Sequence, residues 1–263
     1  MELNLREVLC EFAAGVTTLT LNRPNRRNAI TTVMLAELIF AVEQCAQDSA
    51  VRAVVLRGAD QGFCSGDDLS GMGPLPEDFA SHPQRDVSHA ALQTALRELS
   101  KPTVAVVHGF AFGVGLDLAM ACDFRIAADN TRLQDQRVMF RGMHAVTGCA
   151  WFQSRAIGMT RALQFLILGE SVDGTTAADW GMVSESVPEA DLDTRVAALA
   201  GSLATAPTKA IGLMKRQIYA AQEMNHAEFM AFAAPLIREV EIKDRQEGIN
   251  AFLEKRPAEF TGE

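Results

Sequence analysis

Positive charge is scarce in this chain. Lysine and arginine total 24 against 33 aspartates and glutamates, giving a formal charge of −9 and a pI near 5.1. That balance argues against nucleic acid or an anionic membrane as the main partner, while leaving room for a local basic patch that serves a phosphorylated ligand. Motifs of nucleic-acid-binding folds are missing as well. No run of 18 apolar residues occurs, so a membrane span is not expected. The opening Met1-Glu2-Leu3-Asn4-Leu5-Arg6-Glu7 has neither the basic start nor the apolar run of a signal peptide, and a cytoplasmic location is expected. The five cysteines, at positions 10, 45, 64, 122 and 149, are odd in number and lack CxxC spacing. They read as reduced thiols, several of them core filler. His82 and His89 have no companion ligands at familiar spacing, so no metal is expected. A GxSxG elbow is absent, and Gly113-Val114-Gly115 lacks the third glycine and acidic partner of a dinucleotide fingerprint.

What is present suits a globular protein with a substantial core. The composition is 48% hydrophobic and 22% charged over 263 residues, enough for one large domain or one domain with a short appendage. Two short strands are expected around Ala14-Gly15, the second alternating and β-branched over 16–21. A turn-rich loop with three arginines follows. Leu35, Leu38, Ile39, Val42 and Ala46 share one helical face, and 51–57 reads as a strand ending at Gly58. Residues 71–87, rich in glycine and proline, read as a mobile loop. Ala91, Leu92, Ala95, Leu96 and Leu99 mark the next helix, 103–107 a buried strand, 115–122 a helix and 123–127 a short strand. This order predicts a parallel-sheet α/β core. Beyond Gly148 the patterns are helical, over roughly 149–157, 161–168, 175–180, 191–205, 208–220 and 225–242, with Pro235 expected to kink or shorten the last. Asp244-Arg245-Gln246-Glu247 has the spacing of a capping box before a final helix.

Two small-residue turns carry the chemistry. One is Phe63-Cys64-Ser65-Gly66-Asp67-Asp68-Leu69; the other runs from His108 to Asp117 through Gly109, Gly113 and Gly115. Each follows a β-branched run and lies beside a helical pattern. Together such turns can present two backbone N–H groups to one oxygen, which stabilises an enolate and favours an enzyme of acyl thioesters. Asp117, behind the second turn, reads either as an acid/base group or as a cap on the helix it begins.

Five segments stand in a telling order: Leu21-Asn22-Arg23-Pro24 with Asn28-Ala29, the first turn, Lys101-Pro102 through Cys122-Asp123, Ala178-Asp179-Trp180-Gly181-Met182-Val183, and Glu247-Gly248-Ile249-Asn250-Ala251-Phe252-Leu253-Glu254-Lys255-Arg256. In these the chain resembles the enoyl-CoA hydratase/isomerase (crotonase) superfamily over nearly its full length. The resemblance implies a crotonase-like α/β core built as a spiral of ββα turns over 1–200. It also implies a helical C-terminal trimerisation region over 201–263, in a homotrimer or a dimer of trimers. The ligand it implies is an acyl-CoA or enoyl-CoA thioester, with coenzyme A part of the substrate and no cofactor permanently bound. The oxyanion hole falls on the backbone N–H groups of Asp67 and Val114, with Ser65, Gly66 and Leu69 beside the bound ester. Arg23, Arg26 and Arg27 border the adenosine phosphate end, Lys255 approaches a CoA phosphate, often from an adjoining subunit, and Phe252 matches a residue near the acyl or pantetheine tunnel. Taken singly, each of these cations also reads as solvent-facing, and Phe252 as core.

The departures from the family pattern bear on the reaction. The first hydratase glutamate matches Asp117, which keeps acid/base chemistry with one methylene less reach. The second falls on Arg137, or on Val138 if one residue is inserted, and neither is an acid. Asp135 swinging in, or His144, would compensate; His144 also reads as a loop or core histidine satisfied by backbone. Arg137 is placed either to bind a substrate carboxylate or to pair with Asp135. The expected activity is enoyl-CoA hydration, with Δ3-Δ2 isomerisation through a single carboxylate, or non-catalytic acyl-CoA binding, as alternatives.

Overall fold

The computed structural model describes residues 3–74, 86–239 and 241–263. Strands β1 (Val8–Ala13) and β2 (Val16–Leu21) form an antiparallel hairpin. Its two turn residues, Ala14 and Gly15, both take positive φ, the conformation whose twist matches that of the flanking strands. From β2 onward every pairing in the main sheet is parallel. Strands β3 (Ala53–Gly58), β4 (Thr103–Val107), β6 (Phe124–Ala128) and β8 (Glu185–Val187) follow in that order, so the six-stranded sheet reads β1-β2-β3-β4-β6-β8. Parallel neighbours need crossovers. Those from β2 to β6 are α1 (Thr32–Gln47), α2 (His89–Glu98) and α3 (Val114–Ala121).

A second, shorter ladder runs beside the main sheet. β5 (Phe110–Phe112) pairs in parallel with β7 (Arg132–Gln134), Cys64 bridges Ala111, Ile30 bridges Asp67, and Leu133 bridges Val172. The chain therefore makes the same turn several times: a long strand, a short extended segment, then a helix. This stacked ββα geometry is the expected spiral, although no repeat shows in the sequence. It places the two glycine turns side by side.

Strand β4 is buried on both faces and divides the core. Ala105 and Val107 join the large cluster under α1 to α3, whereas Val104 and Val106 pack with Val55 and Ile126 against Leu192, Val196 and Ala200 of α6 (Leu192–Ala204). Between these helices the chain forms α4 (Cys149–Leu163) and α5 (Gly174–Trp180). Gly158 interrupts α4 with non-helical angles, and a π-type turn over Gln164–Leu168 continues it. The expected break between two helical patterns is thus found at this glycine. Helices α7 (Thr208–Ala221), α8 (His226–Glu239, with Pro235 inside) and α9 (Asp244–Glu254) complete the chain. Among the described residues no single helix is long and apolar enough to cross a membrane.

The capping box expected at Asp244 and Glu247 does not form. The Asp244 carboxylate instead accepts from the N–H groups of Thr261 and Gly262, each at 2.7 Å, and Glu247 accepts from Arg256 and from the Glu259 N–H at 2.8 Å. The C-terminal tail folds back and supplies the donors that the helix start would have used. Of the expected 71–87 loop, residues 75–85 lie outside the described residues.

Gly109, between β4 and β5, holds the turn that starts the second ladder. Its φ is +60°, and a Cβ there would sit 1.9 Å from the Gln61 carbonyl oxygen. Backbone on backbone leaves no flexible atom to yield. Gly109→Ala should therefore destabilise the protein by more than about 3 kcal/mol, seen as a large fall in thermal midpoint. An unchanged midpoint would mean that the Gln61 segment shifts freely.

Candidate active site

The two turns meet at a pair of free donors. Phe112 N–H donates to the Cys64 carbonyl at 2.9 Å, while Ile30 N–H and Asp68 N–H exchange bonds with Gly66 and Ile30 at 2.9 Å each, pinning the first turn on both sides. Gly66 adopts φ +96°, and a Cβ built on it would lie 3.1 Å from the Phe112 oxygen and 3.7 Å from the Val114 nitrogen. Only a glycine lets the first turn approach the start of α3 this closely. Val114 is the first residue of α3, so its N–H has no partner within the helix. Neither it nor the Asp67 N–H donates to a protein acceptor among the described residues.

One turn further along α3, Asp117 is buried with its carboxylate fully engaged. Arg137 donates through Nη1 to Oδ2 at 2.8 Å and through Nη2 to Oδ1 at 3.3 Å, and the Thr147 hydroxyl donates to Oδ2 at 2.5 Å. Arg137 Nε faces both Asp135 oxygens at 3.0 and 3.1 Å, its Nη2 also reaches Asp135, and Nη1 donates to Thr147 Oγ1 at 2.7 Å. Every donor of the guanidinium is taken. Of the two roles expected for Arg137 the structure shows the ion pair, extended to Asp117, and leaves no donor for a substrate carboxylate. Asp117 does not cap α3, because its oxygens turn to the arginine and the threonine rather than to the helix N–H groups. Asp135 is held by Arg137 and does not swing in.

Two carboxylates and one guanidinium give this cluster a net charge of −1. Burial raises the Asp117 carboxyl above its ordinary value, with Arg137 and Thr147 opposing that rise. Burial likewise disfavours the Arg137 cation, but its hydrogen bonds and charge contacts with Asp135 and Asp117 outweigh this and hold it protonated. Asp117 is thus a carboxylate with enhanced affinity for a proton.

Two cavities flank the cluster, and Asp117 lines neither. One, of about 280 Å³, is largely apolar and is bordered by Asp135, Arg137, His144, Cys149, Leu163 and Ile167. The other, of about 330 Å³, is bordered by Gln93, Arg97, Val146, Thr147, Trp151 and Phe152. Arg137 stands between Asp117 and the first, Thr147 between Asp117 and the second. His144 lies in a loop, exposed at the first cavity and without a hydrogen bond to the cluster, so of the loop and core readings it is the loop that holds. A larger hollow of about 1020 Å³, between α7 and the N-terminal ends of β3 and β4, shares Arg97 with the second cavity and touches none of Asp117, Asp135, Arg137 and Thr147.

The residues expected at the coenzyme end are only partly gathered. Arg23 donates to the Ala29 carbonyl at 2.6 Å and to Asp68 at 3.0 Å, and Arg26 reaches Ser70 at 2.9 Å and Asp68 at 3.5 Å. Hydrogen bonds from Ser70, then Arg23, hold the Asp68 carboxyl well below the usual range. Arg27 is exposed, and its carbonyl accepts from the Ser65 N–H at 3.1 Å. Leu69 is 69% exposed beside this loop. Phe252 is 83% exposed, contrary to a core role, and Lys255 is exposed as well. Thr261 and Gly262, in the tail beyond them, lie against Arg52 at the N-terminal end of β3, the far end of the parallel strands from Arg23–Arg27. Thr147, which has no local signature, went unmarked in the sequence, and His89, weighed there only as a metal ligand, has its Nε2 2.9 Å from Asp67 Oδ1.

Stacked ββα turns with paired backbone donors at their junction make this a crotonase fold. Residues 11–263 match the enoyl-CoA hydratase/isomerase family, and the chain belongs to that family. It is 34% identical to the 1,2-epoxyphenylacetyl-CoA isomerase of Escherichia coli K12, over 97% of this chain and 98% of that one. Identity is also 34% to a probable enoyl-CoA hydratase of Rhodobacter capsulatus, over 96% of each. Among solved structures, the enoyl-CoA hydratase of Mycobacterium smegmatis matches with a TM-score of 0.85 at 31% identity, over 97% of this chain and 99% of that one. The Bacillus anthracis enoyl-CoA hydratase matches at 0.86 and 27%, over 98% and 100%.

Proposed function

We propose that this protein binds an acyl-CoA thioester, forms its enolate and moves a proton between carbons, converting a 3-enoyl-CoA into a 2-enoyl-CoA. The observation that carries this reading is the pair of unengaged N–H groups at Asp67 and Val114, the second of them one helical turn from the Asp117 carboxylate, whose burial strengthens it as a base. The thioester oxygen accepts both N–H groups. Asp117 is reached when the Thr147 hydroxyl, which lines the 330 Å³ cavity, swings off Oδ2; it then takes the proton from C2, and the negative charge that develops on oxygen meets donors that are already in place. Hydration is the second reading, favoured by the names of several relatives. It asks for a second acid, and Arg137 stands where the family pattern puts one.

Coenzyme A enters as part of the substrate, and no resident cofactor is needed for proton transfer. Its phosphates would lie toward Arg26 and Arg27. Because the tail beyond Lys255 is tied to the far end of the strands, Phe252 and Lys255 would reach such a ligand from a second subunit. A trimer, with residues 201–263 as its helical region, belongs to the same proposal, as does a cytoplasmic location.

The test uses a 3-enoyl-CoA, following the appearance of conjugated thioester absorbance, and crotonyl-CoA, following its loss. The first signal is expected to dominate. Val114→Pro removes one donor at a helix position that tolerates proline and should lower kcat by about 10²–10³-fold. Dominant crotonyl-CoA hydration would instead select the hydratase reading. Binding of CoA esters without either reaction would leave a non-catalytic binding protein.

A further inference from the structure

Asp67 offers more than its N–H. Its carboxylate turns toward α2, where His89 Nε2 lies 2.9 Å from Oδ1. That oxygen is buried and receives no aligned hydrogen bond, so the contact is an ion-pair approach awaiting alignment. Ser88, just before His89, caps α2 by accepting from the Ala91 N–H at 3.1 Å, which fixes the backbone that carries the ring. The imidazole is 18% exposed and the Asp67 carboxylate 34%, whereas the Asp117 side chain is sealed at 1%. Since N–H and carboxylate belong to one residue, ordinary bond lengths keep His89 Nε2 within about 8 Å of the Asp67 nitrogen. An ester oxygen bound to that N–H would lie about 3 Å from the nitrogen. The ring therefore lies within about 11 Å of that oxygen, on the residue that also supplies one of the two N–H donors.

We propose that His89, oriented by the Asp67 carboxylate, is the second acid–base group of the site and delivers the proton to C4; this rests on the enolate reading above. Asp117 takes the C2 proton: the C2–H pair becomes the C1=C2 bond, and the carbonyl π pair moves onto the oxygen held by the two N–H groups. Imidazolium His89 pairs through Nε2 with Asp67 and donates from Nδ1. The C3=C4 pair forms the new C4–H bond, the C1=C2 pair becomes C2=C3, and the oxygen pair restores the carbonyl. Asp117 is left protonated and His89 neutral. Both reset by exchange with water, Asp117 through the Thr147 hydroxyl, which lines the 330 Å³ cavity. The Asp67 carboxylate is a positioning group, as carboxylates behind catalytic histidines are.

The experiment is conversion of a 3-enoyl-CoA in deuterium oxide, with the product's C4 read by mass spectrometry or NMR. Wild-type protein is expected to place solvent deuterium at C4 in the first turnover. His89→Gln should lower kcat by about 10²-fold with KM within about twofold, and its residual product should carry the substrate's own proton at C4. Asp67→Asn keeps the N–H but loses the charge. It should lower kcat, not KM. Thermal unfolding of both variants checks that α2 remains folded. Wild-type turnover and labelling in His89→Gln would overturn the dyad, as would an unlabelled wild-type product. Exchange of α-protons from butyryl-CoA by the wild type separates the two readings. Exchange without His89-dependent isomerisation removes the dyad alone, whereas no exchange and no isomerisation removes the enolate reading and the dyad with it.

Discussion

Asp117→Asn should reduce kcat by about 10³-fold while leaving the KM for a CoA ester within a few fold. The amide cannot accept a proton, which removes the base outright, and general-base contributions fall in the range of about 10²–10⁴. In the proposed reading the ester is held by the Asp67 and Val114 N–H groups, which this change leaves in place, so the loss is expected in the chemical step. The pH profile should agree. Burial raises the Asp117 carboxyl, so the acid limb of kcat/KM is expected above the ordinary aspartate range near 3.9, with activity rising as pH increases and Asp117 loses its proton. Stability is expected to change far less than activity. The substitution removes a buried carboxylate, but Arg137 keeps Asp135 as a charged partner at 3.0 Å. Full turnover in the variant would move the base to another group, with Asp135 and His144 next to examine.

The parts of this molecule that are local are the parts its sequence discloses. The strands at 16–21 and 103–107 are rich in β-branched residues, and the helices at 32–47 and 89–98 repeat their apolar residues on one face, so each was readable without knowledge of the rest. The two glycine turns were equally readable, because close approach leaves a mark in composition. The second ladder was not. Its members are three residues long or single bridges, such as Cys64 with Ala111, too short for any period to show. The same limit applies to the site. Asp117 and Arg137 could be picked out singly, yet their pairing crosses 20 residues and its third member, Thr147, lies 30 residues from Asp117. The capping box failed for a related reason: a correct local pattern was outcompeted by the N–H groups of Thr261 and Gly262, brought back by the tail. His89 carries no motif at all, and only the fold shows that it faces Asp67.

Arg137→Gln should be the most destabilising single change in the site. The guanidinium is the only cation facing the buried carboxylates of Asp117 and Asp135 among the described contacts, and glutamine supplies two N–H donors where five were used. Removing one partner from a buried ionic cluster typically costs about 3–5 kcal/mol. For a chain of this size that is a fall of about 10 °C in the thermal midpoint. The sign of the pH dependence follows from Asp117. Its folded value is raised above its unfolded one, so the stability it contributes is fully present below the unfolded value and is lost as pH rises through the folded one. Arg137 opposes that rise. Its removal pushes the folded value higher, widens the window, and should make the variant recover part of its lost midpoint on acidification while the wild type gains less. The acid limb of kcat/KM should move upward in the same variant, because the base now holds its proton more tightly. Thermal melts from pH 4 to 8, alongside pH–rate profiles, check both effects. A variant that melts like the wild type across that range would show that Arg137 does not neutralise the cluster. An unmoved limb together with a lowered midpoint would show that the arginine supports the fold without setting the proton affinity of Asp117.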